Sequence, residues 1–286
     1  MSTVAAQRTQ IPRLRPLAPQ IGVEIQDIDL SQALDENTFR TIEQAWFDHG
    51  ILLFRNQQLS EDQQVEFARR FGELGKVLHQ HGGGSAHHPC VMFISNIREN
   101  GQLIGALPDG EMMFHSDQCY MQRPSAAAML YGIELPSKGG NTIFANMYAA
   151  WDSLPQSLRQ LLEHSRAVNV YDYDNAATQR SESVRADAPR ATHPVARTHP
   201  ATGRKALYVN RLMTESIVGL PAAQSRAVLD QLFDHAENPA FQYEHIWRKG
   251  DLMLWDNRCT QHARTDFDAS ERRLLRRCVV LGEIPE

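Results

Sequence analysis

A mainly β fold, a sandwich or barrel carrying flanking helices, is predicted by three features of this 286-residue sequence. From residue 90 onward the chain breaks into short apolar segments of strand length: "VMFISNI", "AAAMLYGIEL", "NTIFANM", "ATHPVARTH", "ALYVN", "FQYEHIWRKG", "DLMLWDN" and "RRCVVLGE". Turn-forming clusters such as "LPDG", "PSKGGN" and "HPATGR" separate them. Helical periodicity is confined to a few stretches, so the helices decorate a sheet core.

Taken in order, residues 1–20 hold Pro12, Pro16 and Pro19 and read as a tail or leading edge, not a helix. "GVEIQDIDL" alternates Val23 and Ile25 as a short strand does. From Asp35 to His49, Phe39, Ile42 and Trp46 recur at helical spacing, and Gly50 supplies a stop. "ILLFR" is a short buried strand, and Ser60 with Gln63 forms a capping box ahead of Val65, Ala68 and Phe71 on one helix face. This strand–helix alternation opens like a βαβ enzyme, but the short strands beyond residue 90 do not sustain it. Further helices are expected around 153–163 and 222–236, the second burying Val228, Leu229, Leu232 and Phe233. Residues 171–191 are polar and aperiodic, and a mobile insertion is expected there. The resulting division is an N-terminal tail, 1–20, and a single domain, 21–286.

Composition narrows the class of function. With 42% hydrophobic and 22% charged residues the chain is an ordinary globular one. A net charge of −5 offers no attraction to nucleic acid or anionic lipid, so neither partner is expected. Cys90, Cys119, Cys259 and Cys278 form no C-x-x-C pair, and the N-terminus lacks the apolar centre of a signal peptide; a cytoplasmic protein is expected. A homo-oligomer, dimer or tetramer, is expected from edge-strand or helical contacts.

The chemistry concentrates in three stretches. "MMFHSDQCY" places His115 and Asp117 two apart, so in a strand their side chains point the same way and converge on one metal, or else form a polar bump at a sheet edge. "LMLWDNRCTQHARTDF" places His262 just past an apolar strand, where a loop aims the side chain. Together the three residues make a 2-His-1-carboxylate set, which suits non-haem iron with open positions; a zinc hydrolase accepts the same donors. In "ERRLLRRCVVLGE", Arg273 and Arg277 are four apart and share a face, while Arg272 and Arg276 take another direction. Two inward arginines would each need an anion; the alternative is four surface charges on an edge strand. "HQHGGG" at 79–84 has no G-x-S-x-G partner, so it is no lipase oxyanion motif, and His79 and His81 remain candidate substrate contacts. Met112, Met113, Phe114, Met121 and Met129 are candidate pocket-lining residues, each equally at home in a core. No G-x-G-x-x-G and no P-loop occurs.

Nearly the whole chain resembles the TauD/TfdA family of iron(II)- and 2-oxoglutarate-dependent dioxygenases. The resemblance is carried by the order and spacing of "GVEIQDIDL", "HGILLFRNQQLS", "FARRFGELG", "FHSD", "LPSKGGNTIFANMYAAWDSLP", "HPVARTHPATGRKALYVN" and "GDLMLWDNRCTQHARTDF". It implies a double-stranded β-helix (jelly roll, cupin-like) with flanking helices. It implies Fe(II) held by His115, Asp117 and His262, with 2-oxoglutarate and O2 as cosubstrates. Thr142 and Arg273 match the residues that hold 2-oxoglutarate, Arg277 matches one that meets the substrate anion, and Trp255 is a scaffold aromatic beneath the site. The expected reaction hydroxylates an aliphatic C–H of a small anionic organic molecule (a carboxylate, aryloxyalkanoate or sulfonate), giving succinate and CO2. Where taurine-specific members carry asparagine and tryptophan, this chain has Glu111 and Phe114. A carboxylate there is a poor neighbour for a sulfonate unless it turns away or meets a cationic part of the substrate, so taurine is a possible substrate but not the leading one; if several of the methionines line the pocket, the substrate is a bulkier organic acid.

Overall fold

The computed structural model describes residues 11–77, 83–107, 110–172 and 185–286. Two sheets form its centre. The major sheet runs in the order Arg13–Pro16, Val23–Gln26, Ile51–Phe54, Leu252–Asp256, Ser125–Glu134, Leu274–Leu281, Met92–Ser95, with a single parallel pairing between its second and third strands. The minor sheet runs Gln242–His245, Thr142–Asn146, Thr260–Arg264, Met112–His115, antiparallel throughout. This two-sheet, mainly antiparallel arrangement is the jelly roll that the resemblance implied.

Strand alternation explains why the central segments are apolar at every position. In Ile51–Phe54, Ile51 and Leu53 join Phe144, Trp255 and Leu275 in the layer between the sheets, whereas Leu52 and Phe54 join Trp46, Val65 and Phe67 beneath the helices. Leu252–Asp256 repeats the pattern, with Met253 and Trp255 inward and Leu252 and Leu254 outward. The minor sheet is covered in turn by helices Met147–Asp152 and Ala222–Ala236, whose Trp151, Leu229 and Phe233 cluster with Ala145. The layers are therefore helix, major sheet, minor sheet, helix.

Helix Glu36–His49 starts at Asp35, which accepts from the Asn37 and Thr38 N–H groups at 3.0 Å, and ends at Gly50 with φ +71°. Helix Glu61–Arg69 carries the expected capping box, the Ser60 N–H donating to Gln63 Oε1 at 2.9 Å. Each such cap contributes about 1 kcal/mol.

Other elements differ from the sequence reading. Arg13–Pro16, inside the expected tail, pairs with Val23–Gln26 as an exposed edge strand. The helix expected at 153–163 is the shorter Gln156–Leu162, preceded by Met147–Asp152. A three-stranded sheet of Arg190–Pro194, Arg166–Val170 and Thr214–Ile217 includes two strands whose sequences show no clear alternation. Most of the insertion expected at 171–191 lies outside the described residues. At its base Asp172 accepts from the Arg185 N–H at 2.7 Å, and Arg190 already opens a strand. Among the described residues no helix is long and apolar enough to cross a membrane.

Candidate active site

The turn between Leu252–Asp256 and Thr260–Arg264 carries the chain from the major to the minor sheet. Asp256 organises it: Arg258 donates to both carboxylate oxygens (2.8 and 2.6 Å), buried His199 faces Oδ2 at 3.0 Å, and Thr260 Oγ1 donates to the Asp256 carbonyl at 2.7 Å. The strand that leaves this turn bears His262, so the ligand projects from a strand and not from a loop as its polar surroundings suggested. The Cα of His262 lies directly opposite that of His115, and the two rings are 4.2 Å apart. Asp117 is also displaced from expectation. Its strand ends at His115, and the carboxylate comes from the following turn, where Gln118 adopts φ +57°. The three side chains nevertheless converge.

His115 Nε2 and His262 Nε2 each lie 3.9 Å from Asp117 Oδ1, and all three donors fall within 4.8 Å of one another. His115 Nδ1 is 2.9 Å from the Met113 carbonyl, an acceptor, so Nδ1 carries the proton and the Nε2 lone pair faces the centre. Burial holds both imidazoles below their ordinary pKa, His262 at about 3. Burial pushes the Asp117 carboxyl up, but the Arg277 guanidinium and the two imidazoles outweigh it and hold the group well below the usual carboxylate range. Two neutral imidazoles and one anionic carboxylate form the donor set of a divalent first-row ion.

Arg273 is 1% exposed, and among the described residues its guanidinium makes one hydrogen bond, from Nη2 to the Gly140 carbonyl at 3.2 Å, leaving Nε and Nη1 without partners. Burial and the nearby Arg264 guanidinium bring its pKa down to about 9. A buried cation with unmatched donor nitrogens is a receptor for an anion. Thr142 lies close by in the sheet, its Cα paired with that of Arg264. Its Oγ1 accepts from Trp247 Nε1 at 3.0 Å, which leaves its own proton to be donated. These groups fit a dicarboxylate cosubstrate.

The four arginines separate into distinct environments. Arg277 pairs with Asp117 Oδ1, Arg272 is a surface residue paired with Glu134 at 2.6 Å, and Arg276 is buried on the helix side, donating to Gln64 Oε1 at 3.1 Å. Trp255 lies beneath the site with its ring 4.8 Å from that of His262.

The lining candidates divide. Met112 and Met113 pack with Tyr120 against Cys119, Tyr208, Leu212 and Met213. Phe114, adjacent to His115 in the strand, packs instead against the helix-covered cluster of the minor sheet, because neighbouring strand residues face opposite ways. Met129 is likewise turned from the site, buried between the major sheet and its helices, and Met121 is exposed. Glu111 is exposed just before its strand. His79 and His81 lie outside the described residues. Sequence reasoning missed Asn257, Arg264 and Tyr120. The signals available were position alone: two residues past Trp255, two past His262 in one strand, and three past Asp117.

Comparison with known proteins agrees with this geometry. The model of the "Taurine catabolism dioxygenase TauD, TfdA family" matches residues 13–279. The chain is 35% identical to the alpha-ketoglutarate-dependent 2,4-dichlorophenoxyacetate dioxygenase of Cupriavidus pinatubonensis, covering 94% of this chain and 97% of the relative. It is 36% identical to pentalenolactone F synthase of Streptomyces avermitilis, covering 93% and 92%. A crystal structure of a taurine dioxygenase from Burkholderia xenovorans superimposes with a TM-score of 0.81 at 31% identity, over 96% of this chain and 90% of that one. The chain belongs to the TauD/TfdA family and is an iron(II)- and 2-oxoglutarate-dependent dioxygenase.

Proposed function

We propose that His115, Asp117 and His262 hold Fe(II), that Arg273 and Thr142 hold 2-oxoglutarate, and that the substrate is a small organic acid whose anionic group meets Arg277. The observation that carries this reading is Arg273, a buried guanidinium with two donor nitrogens unmatched among the described residues, four residues before the Arg277 that pairs with Asp117. A cosubstrate with a distal carboxylate supplies Arg273 with its missing partner. When bound, the iron supplies O2 activation coupled to decarboxylation of 2-oxoglutarate to succinate and CO2, with hydroxylation of a substrate C–H.

The chain's own residues position and enclose. His115 is locked by its bond to the Met113 carbonyl. Thr142, two residues past the Gly140 that meets Arg273, has a hydroxyl proton to donate. Trp255 and Phe144 close the floor with rings 5.6 Å apart, excluding water from one side. Met112, Met113 and Tyr120 offer an apolar wall of adaptable shape. Arg277, paired with Asp117 Oδ1 in this structure, would turn to the substrate's acid group once Asp117 binds the metal, and displacement of the reacting carbon by about 1 Å can cost roughly 100-fold in rate. The 2,4-dichlorophenoxyacetate dioxygenase relative supports aryloxyalkanoates as the first class to try. Hydroxylation of the carbon bearing the ether oxygen would give a hemiacetal that collapses, so the observed outcome would be ether cleavage.

The test is a panel of aryloxyalkanoates, sulfonates, N-acyl amino acids and small carboxylic acids, scored by substrate-stimulated succinate formation after anaerobic iron loading. Coupling by neutral compounds alone, or full coupling retained in Arg277→Ala, would refute the anion assignment; oxygen-independent hydrolysis would refute the oxygenase. We also assign the chain to the cytoplasm as a homo-oligomer. Its four cysteines are unpaired, as a reducing compartment favours, and its exposed edge strand Arg13–Pro16 offers a pairing surface. A monomer by sedimentation would overturn the second point.

A further inference from the structure

We infer that Asn257 is a positioning residue that fixes the orientation of the Asp117 carboxylate. The inference rests on the reading of His115, Asp117 and His262 as a metal centre. Asn257 is fully buried in the turn after Leu252–Asp256. Its Oδ1 accepts from the Asp117 backbone N–H at 3.2 Å and from Trp255 Nε1 at 3.0 Å, and its Nδ2 donates to Asp117 Oδ2 at 3.3 Å. The direction of the amide follows from its partners. A backbone N–H and an indole N–H are donors only, so the atom between them is the oxygen and the NH2 group faces the carboxylate.

A carboxylate has a broad, two-fold torsion about its last bond, so an unrestrained Asp117 would offer either oxygen at many angles. Asn257 takes Oδ2, whereas Oδ1, which also pairs with Arg277, is the atom 3.9 Å from each imidazole Nε2. One oxygen is thereby the ligand and the other the anchor. Asn257 is itself held rigidly, since its N–H donates to the Ala126 carbonyl at 2.9 Å and the preceding Asp256 is clamped by Arg258 and His199. Its other partner, Trp255, packs on the His262 ring. A single amide thus ties the carboxylate ligand to the element beneath an imidazole ligand, although the two are 145 residues apart in sequence (262 − 117).

The experiment compares Asn257→Ala and Asn257→Ser with the unaltered protein. Mn(II) affinity is measured by calorimetry, and ligand geometry by the visible spectrum of the Co(II)-loaded protein. Loss of a partner behind a metal ligand typically weakens binding roughly 10- to 100-fold, and that loss, with a shifted Co(II) spectrum, is expected in the folded variants. Failure of the unaltered protein to bind Mn(II) would sink the metal reading itself. Normal binding there, with affinity within about twofold and an unchanged Co(II) spectrum in either variant, would overturn only the assignment of Asn257. Failure of both variants to fold would also overturn it, by making Asn257 a residue of the fold.

Discussion

Replacing Arg273 with methionine should change stability in opposite directions according to whether 2-oxoglutarate is present. Burial and Arg264 bring the Arg273 pKa from 12.5 to about 9. At about 1.4 kcal/mol for each pH unit, this sets roughly 5 kcal/mol against the charged form in the folded protein. The sign follows from linkage. At pH 7 the group is protonated in both folded and unfolded chains, so the full penalty weighs on the folded state, and it is relieved only between pH 9 and 12.5. Methionine removes the buried charge at similar volume and forfeits the single bond to the Gly140 carbonyl. Replacing buried ions by apolar groups stabilises by about 1–4 kcal/mol, and about 2 kcal/mol is expected here after the lost bond is deducted. In a chain of this size that corresponds to a rise of roughly 4–8 °C in the melting temperature of the ligand-free protein.

Cosubstrate binding should move the other way. Two charge-assisted hydrogen bonds of about 1.5–3 kcal/mol each would vanish, which weakens 2-oxoglutarate by two to four orders of magnitude. The assay is thermal unfolding of both proteins, Mn(II)-loaded, across a 2-oxoglutarate titration, since a ligand raises the midpoint only of the protein that binds it. A variant that melts below the parent without 2-oxoglutarate would show that the guanidinium is already satisfied. Equal stabilisation of the two by 2-oxoglutarate would remove Arg273 from the site.

Gly140 has φ +63°, and a Cβ there would lie 3.1 Å from Arg273 Nε; Gly140→Ala should cost about 1–2 kcal/mol and raise the KM for 2-oxoglutarate, so an unchanged KM in steady-state assays would count against the close approach. Buried His262, held neutral with its pKa at about 3, takes up its proton in the unfolded chain near 6.5, so the metal-free protein should lose stability as the pH falls from 6.5 towards 3. His262→Gln should flatten that dependence in denaturant titrations at a series of pH values. Leu53 is fully buried between the sheets opposite Met253, and Leu53→Ala should destabilise by about 2–5 kcal/mol in urea unfolding, whereas a loss below about 1 kcal/mol would mean that the interface collapses freely around the gap.

Much of the architecture is legible in short stretches. Asp35, Gly50, Ser60 and Gln63 announce two helix boundaries because caps depend on neighbours three or four residues away. The apolar run Ile51–Phe54 announces a strand covered on both faces. The strand Thr260–Arg264 is less legible, since "TQHAR" supplies a metal-ligand candidate and polar groups in place of the apolar alternation that marks a strand. It is a strand because Thr142–Asn146 and Met112–His115 pair with it on either side.

The amino-acid sequence alone determined the kind of chemistry: two imidazoles, one carboxylate and a spaced arginine pair, whose donor properties travel with residue type. Tertiary structure decided which of these groups meet. Strand periodicity states that Arg273 and Arg277 share a face and that Phe114 opposes His115, but pairing between distant strands determines which face looks inward. By that route Arg273 came to be buried without an anion among the described residues, Met129 was turned to the helices, and Asp117 was delivered from a turn to within reach of two histidines.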